Sequence, residues 1–317
     1  MKSLISIVAP MYNEEGLVHV YCEETLKMAS ELKDKYDFEI ILVNDGSKDK
    51  TYELILQEQS AHPDVITSVC LSRNFGLEGA VNAGIRKAAG DAVVVMDADL
   101  QDPPALIPEM ISKWEKGADI VVGSRVKRSS DGFFKKFGAG CYYKVLDALS
   151  GKLKLEKSAA NFRLLSRKAL DAVLALPENN SVFRVVVPFV GMKTDVVEYD
   201  RDKRFAGKTK YNLKSMIPYA LNSITGISVE PLRKIVWLQL FPVIGVIMSI
   251  IGMIVSYDWR QSWMLLLFIS IFTQVLLLAL SIIAEYTAQI MLEAKGRPLS
   301  IIYEYNPSES AKERLER

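Results

Sequence analysis

Histidine and cysteine are scarce in this 317-residue chain. The two histidines, His19 and His62, are too few for a histidine-rich metal centre. The three cysteines, Cys22, Cys70 and Cys141, are odd in number, widely spaced and never in a Cys-x-x-Cys pair. That argues against a disulfide framework or a structural zinc site and fits a reducing compartment. Net charge is also near zero, at +1, so gross electrostatics select neither nucleic acid nor any other polyanion. No Walker A sequence occurs. The glycine-rich GLEGAVNAG (76–84) does not follow the dinucleotide fingerprint, and its glycines equally suit close helix packing. The opening MKSLISIVAPMYNEE lacks the apolar length and small-residue cleavage site of a secretory signal and reads as a first strand.

Charge is missing altogether from two long stretches. Residues 235–257 carry none over 23 positions and residues 263–284 none over 22. As helices rising about 1.5 Å per residue, each is long enough for a hydrocarbon core of roughly 30 Å. Two buried helices of a soluble core are the alternative. The pentapeptide DWRQS (258–262) joins them, which predicts a hairpin with both outer ends on one side. Residues 201–234 hold eight Lys or Arg and the joining loop one, so the positive-inside bias predicts a cytoplasmic N-terminal part. Trp237, Trp259 and Trp263 lie near the predicted boundaries. Ahead of the first span, Leu213, Met216, Ile217, Ala220, Leu221, Ile224 and Ile227 recur at helical spacing. They predict an interfacial amphipathic helix, or else one covering the soluble domain. The expected division is a cytoplasmic domain over 1–211, a juxtamembrane amphipathic helix over 212–234, a transmembrane hairpin over 235–292 and a cytoplasmic tail over 293–317.

Before residue 125, β and α patterns alternate. Strands are predicted at 4–10, 38–44, 65–71, 91–97 and 118–124, and helices near 14–35, 49–60, 76–89 and 103–116. Val- and Ile-rich runs without polar alternation imply strands covered on both faces, hence an α/β domain with a mostly parallel sheet. Ligands bind such sheets beyond the carboxyl ends of the strands. Four predicted strands end in polar groups there: PMYNEE (10–15), NDGSKD (44–49), DADLQD (97–102) and GSR (123–125). An Asp-Gly pair alone is ordinary turn chemistry; four such ends on one rim predict a site.

The fourth of these ends is the most acidic. Asp97 and Asp99 stand one residue apart, so a strand-like backbone would aim both at one edge. With the amide oxygen of Gln101 they form a hard oxygen set suited to Mg²⁺ or Mn²⁺, its shell completed by substrate phosphate. Asp102 reads instead as a cap for the helix beginning near Pro103 and Pro104.

Taken in order, PMYNEE, VNDGSKDKT, SRNFGLEGAVNAG, MDADLQDPP, VGSR and NFRLLSRKAL resemble the GT-A fold (Rossmann-like) glycosyltransferases of family 2. More narrowly they resemble the polyisoprenyl-phosphate group, which includes the dolichol-phosphate mannose synthases and bactoprenol glucosyltransferases. The hairpin followed by EAKGRPLSIIYE (293–304) is most similar to the bactoprenol branch. The resemblance implies that Pro10, Tyr12, Asn13, Glu14 and Asp45, with Asp97, bind the nucleotide. It implies that Asp97, Asp99 and Gln101 serve the metal and diphosphate, and Ser124 and Arg125 the acceptor phosphate. Asp99, Arg125, Arg163, Arg204 and Lys208 are the catalytic candidates, the last two in the basic loop RDKRFAGKTKY (201–211). One departure stands out. Where many relatives have Gly-Asp-Phe-Arg, this chain has Ala160, Asn161, Phe162 and Arg163.

The implied partners are a nucleotide-sugar donor, a polyprenyl phosphate and the membrane, with no nucleic acid, in a homo-tetramer. The implied place is the cytoplasmic (inner) membrane, multi-pass, with the catalytic domain in the cytoplasm. The implied reaction is inverting transfer of a hexose, preferably from UDP-glucose, to undecaprenyl phosphate for cell-envelope glycan. Galactose, N-acetylglucosamine, an aminoarabinose derivative and GDP-mannose stay open as donors. So does a catalytically impaired binding scaffold, because Asn161 cannot take a proton. A processive polysaccharide synthase fits less well, since two spans are few for a channel.

Overall fold

The computed structural model describes residues 2–125, 159–176, 182–199 and 260–316. These residues form two compact units. One is a sheet domain that includes the chain from Arg297 onward; the other contains, among the described residues, one long helix.

The sheet domain begins as the alternation predicts. Strand β1 (Ser3–Met11) leads to helix α1 (Val18–Leu32), β2 (Tyr36–Asn44) to α2 (Thr51–Ala61), and β3 (Ile66–Leu71) to α3 (Leu77–Lys87). Strand β4 (Ala92–Val95) is followed by a 3₁₀ turn (Pro104–Leu106), α4 (Ile107–Glu115) and β5 (Ile120–Arg125). Further on come β6 (Ala159–Ser166), α5 (Arg167–Leu174), α6 (Phe183–Phe189) and β7 (Thr194–Tyr199). After the long helix α7 (Arg260–Ala294), β8 (Ile302–Asn306) and α8 (Glu309–Leu315) complete the described elements.

The eight strands lie in one sheet in the order β7-β5-β6-β4-β1-β2-β3-β8. Strand β1 pairs in parallel with β2 and β4, β2 with β3, and β5 with β7. Only β6 and β8 run against their neighbours. The carboxyl ends of β1 to β5 and β7 therefore share one rim.

Both faces of the sheet are covered, which is why its strands are almost wholly apolar. Ile5, Ile7, Ile40, Leu42 and Val94 pack towards α1 and α4, joining Tyr21, Met110 and Ile111. Val8, Ile41, Val43, Val93 and Val95 face α3, α5 and α6, joining Val81, Ile85, Leu170 and Val186. Helix α3 lies close to the sheet because Gly84 has no side chain. A Cβ there would stand 2.3 Å from Val8 Cγ1 and 3.0 Å from Val43 Cγ2. Close packing thus accounts for this part of the glycine-rich stretch.

Within the predicted tail 293–317, residues 297–316 are an integral part of the domain. Strand β8 pairs with β3, Ser308 N donates to Thr67 Oγ1 at 2.9 Å, and Arg314 meets Asp91 at 3.2 Å. Bonding β8 covers an edge of β3 that would otherwise present open N–H and C=O groups.

Helix α7 spans 35 residues, and its stretch Ile271–Met291 is long and apolar enough to cross a membrane, with a mean hydropathy of 1.7. Leu276, Leu280, Ile283 and Ile290 are exposed on it. The predicted span 263–284 falls inside this helix, and so do Arg260, Gln261 and Ser262, predicted for the joining loop. The predicted span 235–257, the amphipathic helix over 212–234 and the basic loop 201–211 lie outside the described residues.

Gly84→Ala tests the packing of α3. The new methyl meets two buried, stiff valine side chains, and overpacking of this kind costs about 1–3 kcal/mol. The expected outcome is a lower melting temperature for Gly84→Ala, partly restored when Val8→Ala is added.

Candidate active site

The rim is built from loops that hold one another. After β1 the chain turns at Asn13, whose φ of 51° is left-handed, a conformation asparagine tolerates better than most residues. The Asn13 side-chain oxygen accepts from Lys48 N at 2.8 Å, and its own N–H donates to Ser47 Oγ at 3.0 Å. Glu14 N donates to Thr51 Oγ1 at 2.8 Å. The loops after β1 and β2 are thereby fastened together.

Asp45 fastens the next pair. It is buried, its Oδ1 accepts from Phe75 N at 2.7 Å and its Oδ2 from Gly76 N at 3.0 Å. Gly46 allows the approach. Its φ is 63°, and a Cβ there would lie 2.4 Å from the Arg73 carbonyl carbon. The carboxylate read as a nucleotide ligand is therefore also a fixture of the loop between β3 and α3. Burial raises its pKa from 3.8 to about 6, against the lowering effect of the two N–H donors.

Asp97, Asp99 and Gln101 follow β4, which ends at Val95. The backbone there is a turn and not the strand continuation expected from the sequence. Asp99 Oδ1 accepts from Gln101 N at 3.2 Å, and Leu100 adopts a left-handed φ of 53°. A non-glycine residue in that region costs energy and is favoured at functional turns. Among the described residues no group of three or more His, Cys, Asp or Glu is placed to hold a metal ion. The donor set of Asp97, Asp99 and Gln101 contains only hard oxygens. It fits Mg²⁺ or Mn²⁺, which keep most of their shell for water and phosphate oxygens.

Strand β6 brings the other half. Arg163 pairs with Val95 of β4 and Val122 of β5, so Asn161 lies towards the same rim that Asp97 follows. Ser124 and Arg125 close β5; the Arg125 side chain, like Arg204 and Lys208, lies outside the described residues. Arg163 is 2% exposed, and its Nη1 donates to the Arg184 carbonyl at 3.1 Å. Its guanidinium is thus buried among the side chains below the strand ends, within reach of the β6 residues next to Asn161. Glu78 of α3 belongs to the same buried neighbourhood: its Oε2 accepts from Phe183 N at 2.7 Å. Burial raises its pKa, while Arg184 and Arg163 draw it back down. Pro10 is buried in β1, and Tyr12 and Glu14 are half-buried on the rim beside Asn13.

Asp102 is not a helix cap. The 3₁₀ turn and α4 have no side-chain cap. Asp102 is fully buried and accepts a hydrogen bond from the Tyr199 hydroxyl of β7. The sequence gives no sign of this contact, because 97 residues separate the partners.

In a mostly parallel α/β sheet the loops beyond the carboxyl ends of the strands are where ligands bind, and here they gather carboxylates and amides. The chain matches the family described as "Glycosyl transferase family 2" over residues 6–174 and belongs to that family; it is a glycosyltransferase. It is 40% identical over 310 residues to an uncharacterized glycosyltransferase of Bacillus subtilis, covering 94% of this chain and 92% of that one. It is 38% identical over 303 residues to the SfII prophage-derived bactoprenol glucosyl transferase of Shigella flexneri, covering 94% and 97%. Among solved structures, glucosyl-3-phosphoglycerate synthase of Mycobacterium tuberculosis, in complex with Mn²⁺, UDP-glucose and phosphoglyceric acid, is similar with a TM-score of 0.48. That likeness is at 18% identity and covers 70% of this chain and 78% of that one.

The Asp45 shift gives a pH prediction. The folded chain binds a proton here between pH 3.8 and about 6 that the unfolded chain does not. Its stabilising contribution is therefore full below pH 3.8 and is lost as pH rises through about 6. Melting temperatures of wild type and Asp45→Asn, measured from about pH 4 to pH 7, should differ in slope, the wild type losing about 2 kcal/mol more over the range.

Proposed function

We propose that this glycosyltransferase moves a hexose from a nucleotide sugar, UDP-glucose, to a polyprenyl phosphate at the cytoplasmic face of the membrane. The product is a lipid-phosphate-linked sugar. One observation carries the reading: loops after successive parallel strands open on one rim that also carries the Asp97–Asp99 turn, in a chain that aligns over 94% of its length with bactoprenol glucosyl transferases. The domain is read as a GT-A catalytic domain over 1–211, and the enzyme as a homo-tetramer on the strength of the resemblance.

In this reading the loops of Pro10, Tyr12, Asn13, Glu14 and Asp45 receive the base and ribose. Asp97, Asp99 and Gln101 would hold a divalent ion, which when bound would supply Lewis acidity to the leaving nucleoside diphosphate. Ser124 and Arg125, with Arg204 and Lys208, orient the acceptor phosphate. Arg163 adds positive charge from beneath. A phosphate oxygen of the lipid attacks the anomeric carbon as the bond to the donor diphosphate breaks, with inversion. Positioning the two anions supplies much of the rate.

Asn161 does not stand in the way of this chemistry. A phosphate monoester has a second pKa near about 6 and is mostly dianionic at neutral pH, so no base need remove a proton. Asn161 is 4% exposed, and burial would hold a carboxyl there towards its neutral form.

Membrane attachment follows from the acceptor, whose tail stays in the bilayer. Helix α7 supplies one span. The chain leaves the sheet after β7 and returns to it at β8, so any crossing between them must be matched by a second. That parity supports a hairpin whose first helix is 235–257, hence a multi-pass protein.

Asp99→Asn should lower kcat/KM by about 10²–10³ and abolish its dependence on Mg²⁺ or Mn²⁺; full activity contradicts the assignment. Asn161→Asp should change the initial rate less than about threefold, and a gain of two orders of magnitude would show that a base is needed after all. Mass analysis of the lipid product from a panel of nucleotide sugars tests the donor, with hexose from UDP-glucose expected.

A further inference from the structure

We propose that Tyr199 and Asp102 are positioning residues that hold the Asp97–Asp99 turn in place, an inference that rests on reading that turn as the metal and diphosphate site. The starting point is a buried carboxylate with a specific partner. Asp102 is fully buried, Tyr199 is 6% exposed, and the tyrosine hydroxyl donates to Asp102 Oδ1. A buried carboxylate is tolerated where such donors meet it, and losing one leaves a costly unmet acceptor.

The contact spans most of the half-sheet. Strand β7 stands three places from β4 in the strand order, or about 14 Å at the usual strand spacing. The segment after β4 is therefore tied at its far end to the sheet's opposite edge, past the ends of β6 and β5. The tyrosine ring is itself fixed. It meets the Phe162 ring edge-on at 6.0 Å, with the planes at 86°. Gly123 closes the space: a Cβ there would lie 2.8 Å from Phe162 Cδ1 and 3.2 Å from Tyr199 Cε1. One buried unit thus joins the acidic turn, Phe162 between Asn161 and Arg163, and the Gly123–Ser124 end of β5.

The turn itself needs such a support. Leu100 is left-handed, and Asp99 is held locally by a bond from Gln101 N. An uncommon backbone of this kind persists only where surrounding contacts over-determine it. Asp97 and Asp99 must keep fixed positions to share one ion, and Asp102 fixes the end of the segment that carries them.

Hydrogen exchange of the unliganded full chain tests the tether without any ligand. Tyr199→Phe keeps the ring and removes only the hydroxyl. Exchange at 97–102 should speed up about tenfold, the scale of one lost buried hydrogen bond. The Mn²⁺ concentration for half-maximal UDP binding should rise by a similar factor, with α1 and α2 amides unmoved. Unchanged exchange at 97–102 overturns the proposal. So does a uniform rise across the sheet with unchanged Mn²⁺ dependence, which marks a merely structural contact. Faster exchange at 97–102 in a protein whose wild type binds no UDP with Mn²⁺ upholds the tether and removes the reading of the site. If Tyr199→Phe does not fold, Asp102→Asn is measured instead. It keeps an acceptor but drops the charge, and should show the same changes at about threefold; wild-type behaviour there overturns the proposal.

Discussion

Parallel pairing is the constraint on which this molecule depends. A strand pairing in parallel with its neighbour must return by a crossover on the face of the sheet, so the carboxyl ends of such strands gather on one edge. Here β1, β2, β3, β4 and β5 all discharge their loops at that edge. The loops then stiffen one another through backbone amides. Asn13 receives Lys48, Thr51 receives Glu14, and Asp45 receives Phe75 and Gly76. What results is a preformed rim whose irregular backbone is held by side chains from neighbouring loops. Its central feature, two aspartates in a turn with a left-handed leucine, would be poorly held in isolation.

Much of this could be read in the sequence, because burial on both faces writes itself as uninterrupted Val and Ile. β1, β2, β3 and β5 lie within two or three residues of the expected positions, and the rim was deduced from the polar ends of four of them. Where the reading failed, a non-local partner was responsible. Strand β4 stops at Val95, before the aspartates, and the segment after it ends at Asp102, which is bonded to Tyr199 of β7. Asp102 precedes two prolines and looks like a cap, yet it is claimed by a tyrosine far along the chain. β6 was visible only as the motif NFRLLSRKAL, and its short apolar run carries no mark of running antiparallel. β8 follows an apolar helix and looked like a tail; its pairing with β3 joins residues more than 230 positions apart.

The return of the chain to the sheet at β8 bears on the proposed membrane attachment. A segment that starts and finishes in one domain can enter a bilayer only as a re-entrant or an even-numbered excursion. Helix α7 is 35 residues long, has exposed leucines and isoleucines over its apolar stretch, and is long and apolar enough to cross a membrane. A polyprenyl phosphate has its reactive group at the headgroup plane and its tail in hydrocarbon. In the proposed reading, an enzyme that couples such a lipid to a water-soluble donor needs a rigid polar rim where the two anions can meet.

The central claim is that the Asp97–Asp99 turn meets the donor diphosphate through a divalent ion. Anomalous scattering from crystals of the full chain grown with Mn²⁺ and UDP-glucose tests it most directly. The account predicts one manganese peak between the Asp97 and Asp99 carboxylates and the diphosphate oxygens, with the uracil near Asp45. A diphosphate bound away from both aspartates, or bound at the rim with no manganese beside them, would contradict it.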